Sequence, residues 1–188
     1  LNLAKNAGQI LSGDVLTYHK ATELNFKNQS HRSDLLLLAT HAQVDEAHPL
    51  YSKIALLPSE EEEEDGFLHV YEILGMDLDH ELALLTACET GLGALDRGQG
   101  VASLSFAFRY AGCQNIVMSL WSIDEKQSTD LMEKYLGDLE SGSSLSTALT
   151  NAKREYLKTQ KGDLLHPYYW SGLVLVGVGD DPISNSFM

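Results

Sequence analysis

The stretch "LALLTACETG" (Leu82–Gly91) ends an apolar run on a cysteine and follows it three residues later with a glycine. An upstream counterpart, "DLLLLATHAQ" (Asp34–Gln43), ends the same kind of run on a histidine. Two further runs share the pattern, "IVMSLW" (Ile116–Trp121) and "LVLVGV" (Leu173–Val178). Short, continuously apolar segments bounded by polar or turn residues are the mark of strands covered on both faces. Strands are therefore predicted over Leu35–Thr40, Leu82–Cys88, Ile116–Trp121 and Leu173–Val178.

Helical patterns separate the last three. In "GVASLSFAFRYAG" (Gly100–Gly112), Val101, Leu104, Phe108 and Ala111 recur at helical spacing, and Gly112 stands where a helix stops. Ser128 is expected to cap a helix with Leu131, Met132, Tyr135, Leu136 and Leu139 inward; Ser143 or Ser144 is expected to cap another carrying Leu145, Ala148, Leu149, Ala152 and Tyr156. Strand–helix–strand alternation implies a mostly parallel sheet with helices on its faces. Between Leu50 and Ile73 the rhythm breaks, and "LYSKIALL" and "GFLHVYEI" are predicted as two strands of a long hairpin around the acidic loop at residues 60–65, "EEEEED". The first 30 residues are weakly patterned, with one helix expected around Ala21–Lys27.

Composition narrows the function. The 188 residues are 44% apolar and 21% charged, ordinary for a globular domain. No apolar run approaches the roughly 20 residues that cross a bilayer, so no membrane contact is expected. The net charge of −14 argues against direct nucleic-acid contact, which needs clustered Lys and Arg. Two cysteines without CxxC spacing point to a reducing, cytoplasmic setting rather than a disulfide framework. His19, His31, His48, His69 and His80 have no metal-ligand spacing, and "GLGALDRGQG" lacks the Lys-Ser/Thr of a phosphate loop, so neither metal nor cofactor is expected.

Parallel α/β sheets carry their functional residues where strands end and loops begin. His41 and Cys88 both occupy such ends. A free thiol, with a pKa of ~8.5, is only a few per cent ionised at neutral pH, and a neighbouring imidazole raises that fraction or protonates a leaving amine. The backbone amide of Cys88 would serve a tetrahedral oxyanion, with Gly91 and Gly93 letting the chain turn. Against this stands the common fate of such residues, a small buried thiol and a hydrogen-bonded bystander histidine.

The successive blocks "LLLLATHA", "LALLTACETGLG", "GQGVASLSFAFRYAGCQNIVMSLWSID" and "HPYYWSGLVLVG" resemble, in family order, the signatures of the CHAT domain, a caspase-like module related to separase. The resemblance runs from about Asp34 to Gly179. It implies a caspase-like three-layer α/β/α fold over one domain, residues 1–188, with an extra β-hairpin. The opening strands of a full CHAT domain are not matched, and the start at Leu1 is read as internal to a longer polypeptide. The activity implied is that of a cysteine endopeptidase with a Cys-His dyad, cutting through a thioester acyl-enzyme. His41 matches the catalytic histidine and Cys88 the nucleophile; Ala42 stands where the family usually has Gly, and its amide would join that of Cys88 in the oxyanion hole.

Further residues follow from the same blocks. Trp121 is a candidate pocket wall as well as an ordinary rim aromatic. Asp124, in "LWSID", resembles the separase segment that receives a basic substrate side chain, whereas aspartates in such loops commonly form turns or caps. Glu89 would orient His41 or join the pocket, though a surface carboxylate is the commoner role. Cys113 reads as structural, and His166-Pro167 as shaping the turn into the last strand. The expected partners are a protein or peptide substrate and, by the resemblance, a tetratricopeptide-repeat or other sensor region, as in bacterial members that cleave pore-forming or signalling proteins. The alternative is a catalytically silent caspase-like interaction module. A ligand-binding α/β domain without thiol chemistry fits the alternation but leaves the His–Cys placement to chance.

Overall fold

The computed structural model describes residues 2–30, 33–45, 47–59, 64–86 and 99–183, with residues 99–103 as backbone. In chain order the elements are α1 (Asn2–Ile10), α2 (Glu23–Gln29), β1 (Leu35–Leu38), β2 (Ala42–Gln43), β3 (Lys53–Ala55), β4 (Phe67–His69) and α3 (Val70–Ile73). They continue as β5 (Leu82–Leu85), α4 (Gln99–Tyr110), β6 (Asn115–Ser119), α5 (Glu125–Glu140), α6 (Leu145–Thr159) and β7 (Leu173–Gly177). β1, β5, β6 and β7 form one sheet in that order. The first three run parallel and β7 returns antiparallel to β6.

Why the central runs are apolar throughout is visible in β5. Leu82 and Leu84 enter the core beneath α1, α5 and α6, whereas Ala83 and Leu85 enter the core beneath α4 and the smaller sheet. Successive side chains of a strand point to opposite faces, so a strand covered on both sides has no polar position. Tyr135, Tyr156, Leu131 and Met132 fill the first core, and Phe108, Ile54, Leu68 and Ile73 the second. The result is the expected mostly parallel α/β/α arrangement.

β2, β3 and β4 form a separate antiparallel sheet in that order. The expected hairpin is present but shorter than predicted, and the second run divides. Phe67–His69 is strand, and Val70–Ile73 turns helical. The cause is local: the Glu72 carboxylate accepts the His69 backbone N–H at 2.9 Å, closing the first turn of α3. Gly66, just before β4, has φ +83°, and a Cβ there would lie 2.6 Å from the Pro58 nitrogen, so the return of this sheet needs glycine.

Two helix starts also differ from expectation. α5 is capped by Asp124, not Ser128, and begins with Glu125. Ser144 precedes α6 as expected, but its hydroxyl bonds to the Thr147 hydroxyl, and Asp180 accepts both the N–H and the hydroxyl of Ser146 at 2.7 Å. A carboxylate brought from the far end of the chain thus does the work of a local cap.

Candidate active site

The carboxyl ends of β1, β5 and β6 lie side by side because the strands are parallel and in register, Leu38 opposite Leu85 and Leu85 opposite Met118. Beyond the last paired residues, Thr86 donates both its backbone N–H and its hydroxyl to the Leu38 carbonyl, each at 3.2 Å. These bonds tie the exit of β5 to the exit of β1. His41 lies three residues past Leu38, and Thr86 lies two residues before Cys88. Cys88 and Glu89 themselves fall outside the described residues, as does the rest of the "CETGLG" turn.

His41 is held through its backbone. The Thr40 hydroxyl donates to the Ala55 carbonyl, and the His41 carbonyl accepts the Ala55 N–H at 2.8 Å. The imidazole is exposed at the sheet edge. The next residue, Ala42, stands opposite Ile54 with its methyl buried. Alternation along an antiparallel pair turns the Ala42 N–H away from β3, to the outer side of β2, which is an edge of the smaller sheet.

Trp121 follows β6 at the same edge. Its indole N–H donates to the Tyr168 carbonyl at 2.8 Å, and the two rings stack with centroids 6.4 Å apart. The Tyr168 hydroxyl donates to the Ser122 carbonyl at 2.6 Å. The approach is close enough that a Cβ on Gly172 would meet the indole at 2.8 Å. Because β7 is antiparallel, its first residue, Leu173, pairs with Ser119, the last of β6, and so the "HPYYW" block arrives at this edge. His166 accepts the Tyr168 N–H on Nδ1, making the turn that its pairing with Pro167 predicts. An open recess of about 370 Å³ is lined by Asp163, His166, Tyr168 and Tyr169. Tyr168 and Tyr169 were not singled out in the sequence; the signal available was an aromatic pair directly after His-Pro.

Asp124 is exposed, and its Oδ1 accepts the N–H groups of Lys126 and Gln127 at 3.1 and 3.3 Å. It is therefore a helix cap. The other thiol sits apart: Cys113 precedes β6 at the amino end of the sheet, is buried, and has its pKa pushed up to about 11 by burial. Nearby His80 is also buried, bonded to the Ser33 carbonyl through Nδ1, and burial pushes its pKa down. Three carboxylates, Glu23, Glu64 and Glu72, converge closely enough to hold a cation, but the Lys27 ammonium already occupies their centre at 2.7, 2.8 and 2.7 Å.

A mostly parallel sheet with helices on both faces, and a histidine just past the end of its first described strand, define a caspase-like α/β architecture. The sequence model of the CHAT domain matches residues 2–178, and the chain belongs to that family, which is caspase-like and related to peptidases. No curated protein matches the chain. No helix among the described residues is long and apolar enough to cross a membrane.

Proposed function

We propose that this chain is a cysteine endopeptidase domain in which His41 and Cys88 act as a dyad. His41 takes the thiol proton, and Sγ of Cys88 attacks the scissile carbonyl. The amides of Ala42 and Cys88 face the resulting oxyanion. Collapse breaks the C–N bond as His41 gives its proton to the leaving amine, and water then hydrolyses the thioester. Substrate lies along the edge bordered by Trp121, with Asp124 receiving an Arg or Lys side chain and Glu89 alongside. In this reading the domain works in a reducing bacterial cytoplasm under a tetratricopeptide-repeat or other sensor region.

The observation that carries the reading is the pair of bonds from Thr86 to the Leu38 carbonyl, since it brings together the two chain exits that lead to Cys88 and His41. The outward N–H of Ala42 supports it further, because a residue other than glycine still presents a donor on that side. Fluorogenic peptides with varied residues before the cleavage point test the proposal in wild type and Cys88→Ala. Hydrolysis after Arg or Lys that disappears in the variant is expected; hydrolysis that survives loss of Cys88 overturns it.

A further inference from the structure

Six of the thirteen exposed large apolar side chains among the described residues belong to elements that touch one another: the turn Pro49–Tyr51, β4, α3 and α4. Tyr51 and Tyr71 are 60% and 50% exposed, and on α4 Phe106 and Tyr110 are 61% and 70% exposed. A monomer gains nothing by presenting this much aromatic surface to water. Nor are the rings scattered. His48 meets Tyr51 edge-on at 6.3 Å, Tyr51 meets Tyr71 at 5.9 Å, and Tyr71 stacks on His69 at 5.0 Å. His69 in turn meets Phe67 at 6.4 Å. This run of rings already holds one cation of the chain's own, the Lys53 ammonium, 3.8 Å from the Phe67 centroid.

Charge names the occupant. Residues 45–79, which carry the run of rings, hold eleven acidic residues against the single Lys53, a net −10 of the chain's −14. Burial first, and then the charges of Glu72, Asp65 and Glu23, push the Tyr71 phenol above its ordinary pKa. We propose that this aromatic face is a docking site for an arginine- and lysine-rich segment of a partner protein. Ring faces attract cations through their quadrupole, and the net negative charge of the segment adds long-range attraction. Arginine is favoured over lysine because its planar guanidinium stacks on rings and is more weakly hydrated. A second copy of this chain is disfavoured, since it would bring another −10 segment against the first, and nucleic acid is repelled for the same reason.

The site does not use Cys88, so it is tested in the Cys88→Ala variant of the whole 188-residue chain, where failure leaves the peptidase proposal untouched. A short fluorescein-labelled peptide with arginine at alternate positions is titrated and followed by anisotropy, beside versions carrying lysine or glutamine instead. Binding in the order Arg, Lys, then none for Gln is expected. The combination Tyr51→Ala with Tyr71→Ala should weaken the arginine peptide by about tenfold, two exposed cation–π contacts' worth. Tyr51→Leu with Tyr71→Leu keeps the bulk and should lose as much, which separates ring chemistry from folding. Val178→Ala, at an exposed apolar position outside these elements, should not reproduce that loss. Equal binding by the tyrosine variants and their parent would reduce the effect to general electrostatics and overturn the proposal, as would no binding by the parent. Sedimentation showing Tyr71-dependent self-association would overturn it in favour of a second copy.

Discussion

Asp124 holds the first turn of α5 through Oδ1, and that duty decides how its charge is tested. Asp124→Ala removes cap and charge together and costs about 1 kcal/mol of stability on its own, whereas Asp124→Asn keeps the cap within a few tenths. If its carboxylate also receives a basic side chain, Asn should lower kcat/KM for Arg substrates by about tenfold or more with unchanged thermal stability. Arg preference intact in a stable Asn variant would leave the residue a cap alone. For His41, replacement by Ala should lower kcat by roughly a hundredfold or more with KM little changed, as expected of a group acting in proton transfer. A change confined to KM in steady-state kinetics would assign it to binding. His41 was legible because it ends an apolar run; Tyr168, which builds the edge beside Trp121, was not, because its role depends on β7 running antiparallel to β6.

At the scale of elements, the four central strands were legible because burial on both faces leaves a continuous apolar run. β2 was not, being two residues whose pairing with β3 is set by the turn at Thr40 and His41 rather than by any pattern. α1 escaped for a similar reason: its buried stripe is only Leu3 and Ala7, completed by Leu11 beyond its end. Lys27 ties α2 to the chain entering β4 through Glu64 and to α3 through Glu72. Burial would raise Glu72, but bonds from Lys27 and the His69 N–H hold its pKa below the ordinary value; burial keeps Glu23, 1% exposed, above it. Lys27 itself lies above its ordinary range because its carboxylate partners outweigh burial. A depressed carboxylate adds stability above its unfolded pKa of about 4.3 and loses it as pH falls through the folded value; a raised lysine keeps its contribution throughout neutral pH. Lys27→Met leaves three carboxylates facing one another, and a loss of about 2 kcal/mol is expected at pH 7. The folded pKa values of Glu23 and Glu72, both held down in part by Lys27, then rise, the folded state binds more protons, and the variant should gain stability from pH 7 to about pH 5. Calorimetric melting showing the same pH slope in variant and wild type would contradict this account of the cluster.

Across the whole molecule, Cys113 stands at the amino end of the sheet, whereas β5 leaves its carboxyl end three residues before Cys88, and a parallel topology makes those two ends chemically unequal. Burial pushes the pKa of Cys113 up to about 11, so its thiol stays protonated at neutral pH and is a poor nucleophile. Cys88 follows the carboxyl end of β5, whose exit is tied to the one leading to His41. The sequence showed both runs and both residues; that the exits are adjacent depends on strand order, which no run displays by itself. The most direct measurement is peptide mapping by mass spectrometry after timed iodoacetamide treatment of the native chain near neutral pH, in wild type and His41→Ala. The peptidase reading predicts alkylation of Cys88 at least about a hundredfold faster than Cys113, slowed by roughly tenfold or more when His41 is lost. Equal rates at the two thiols, or a Cys88 rate indifferent to His41, would contradict it.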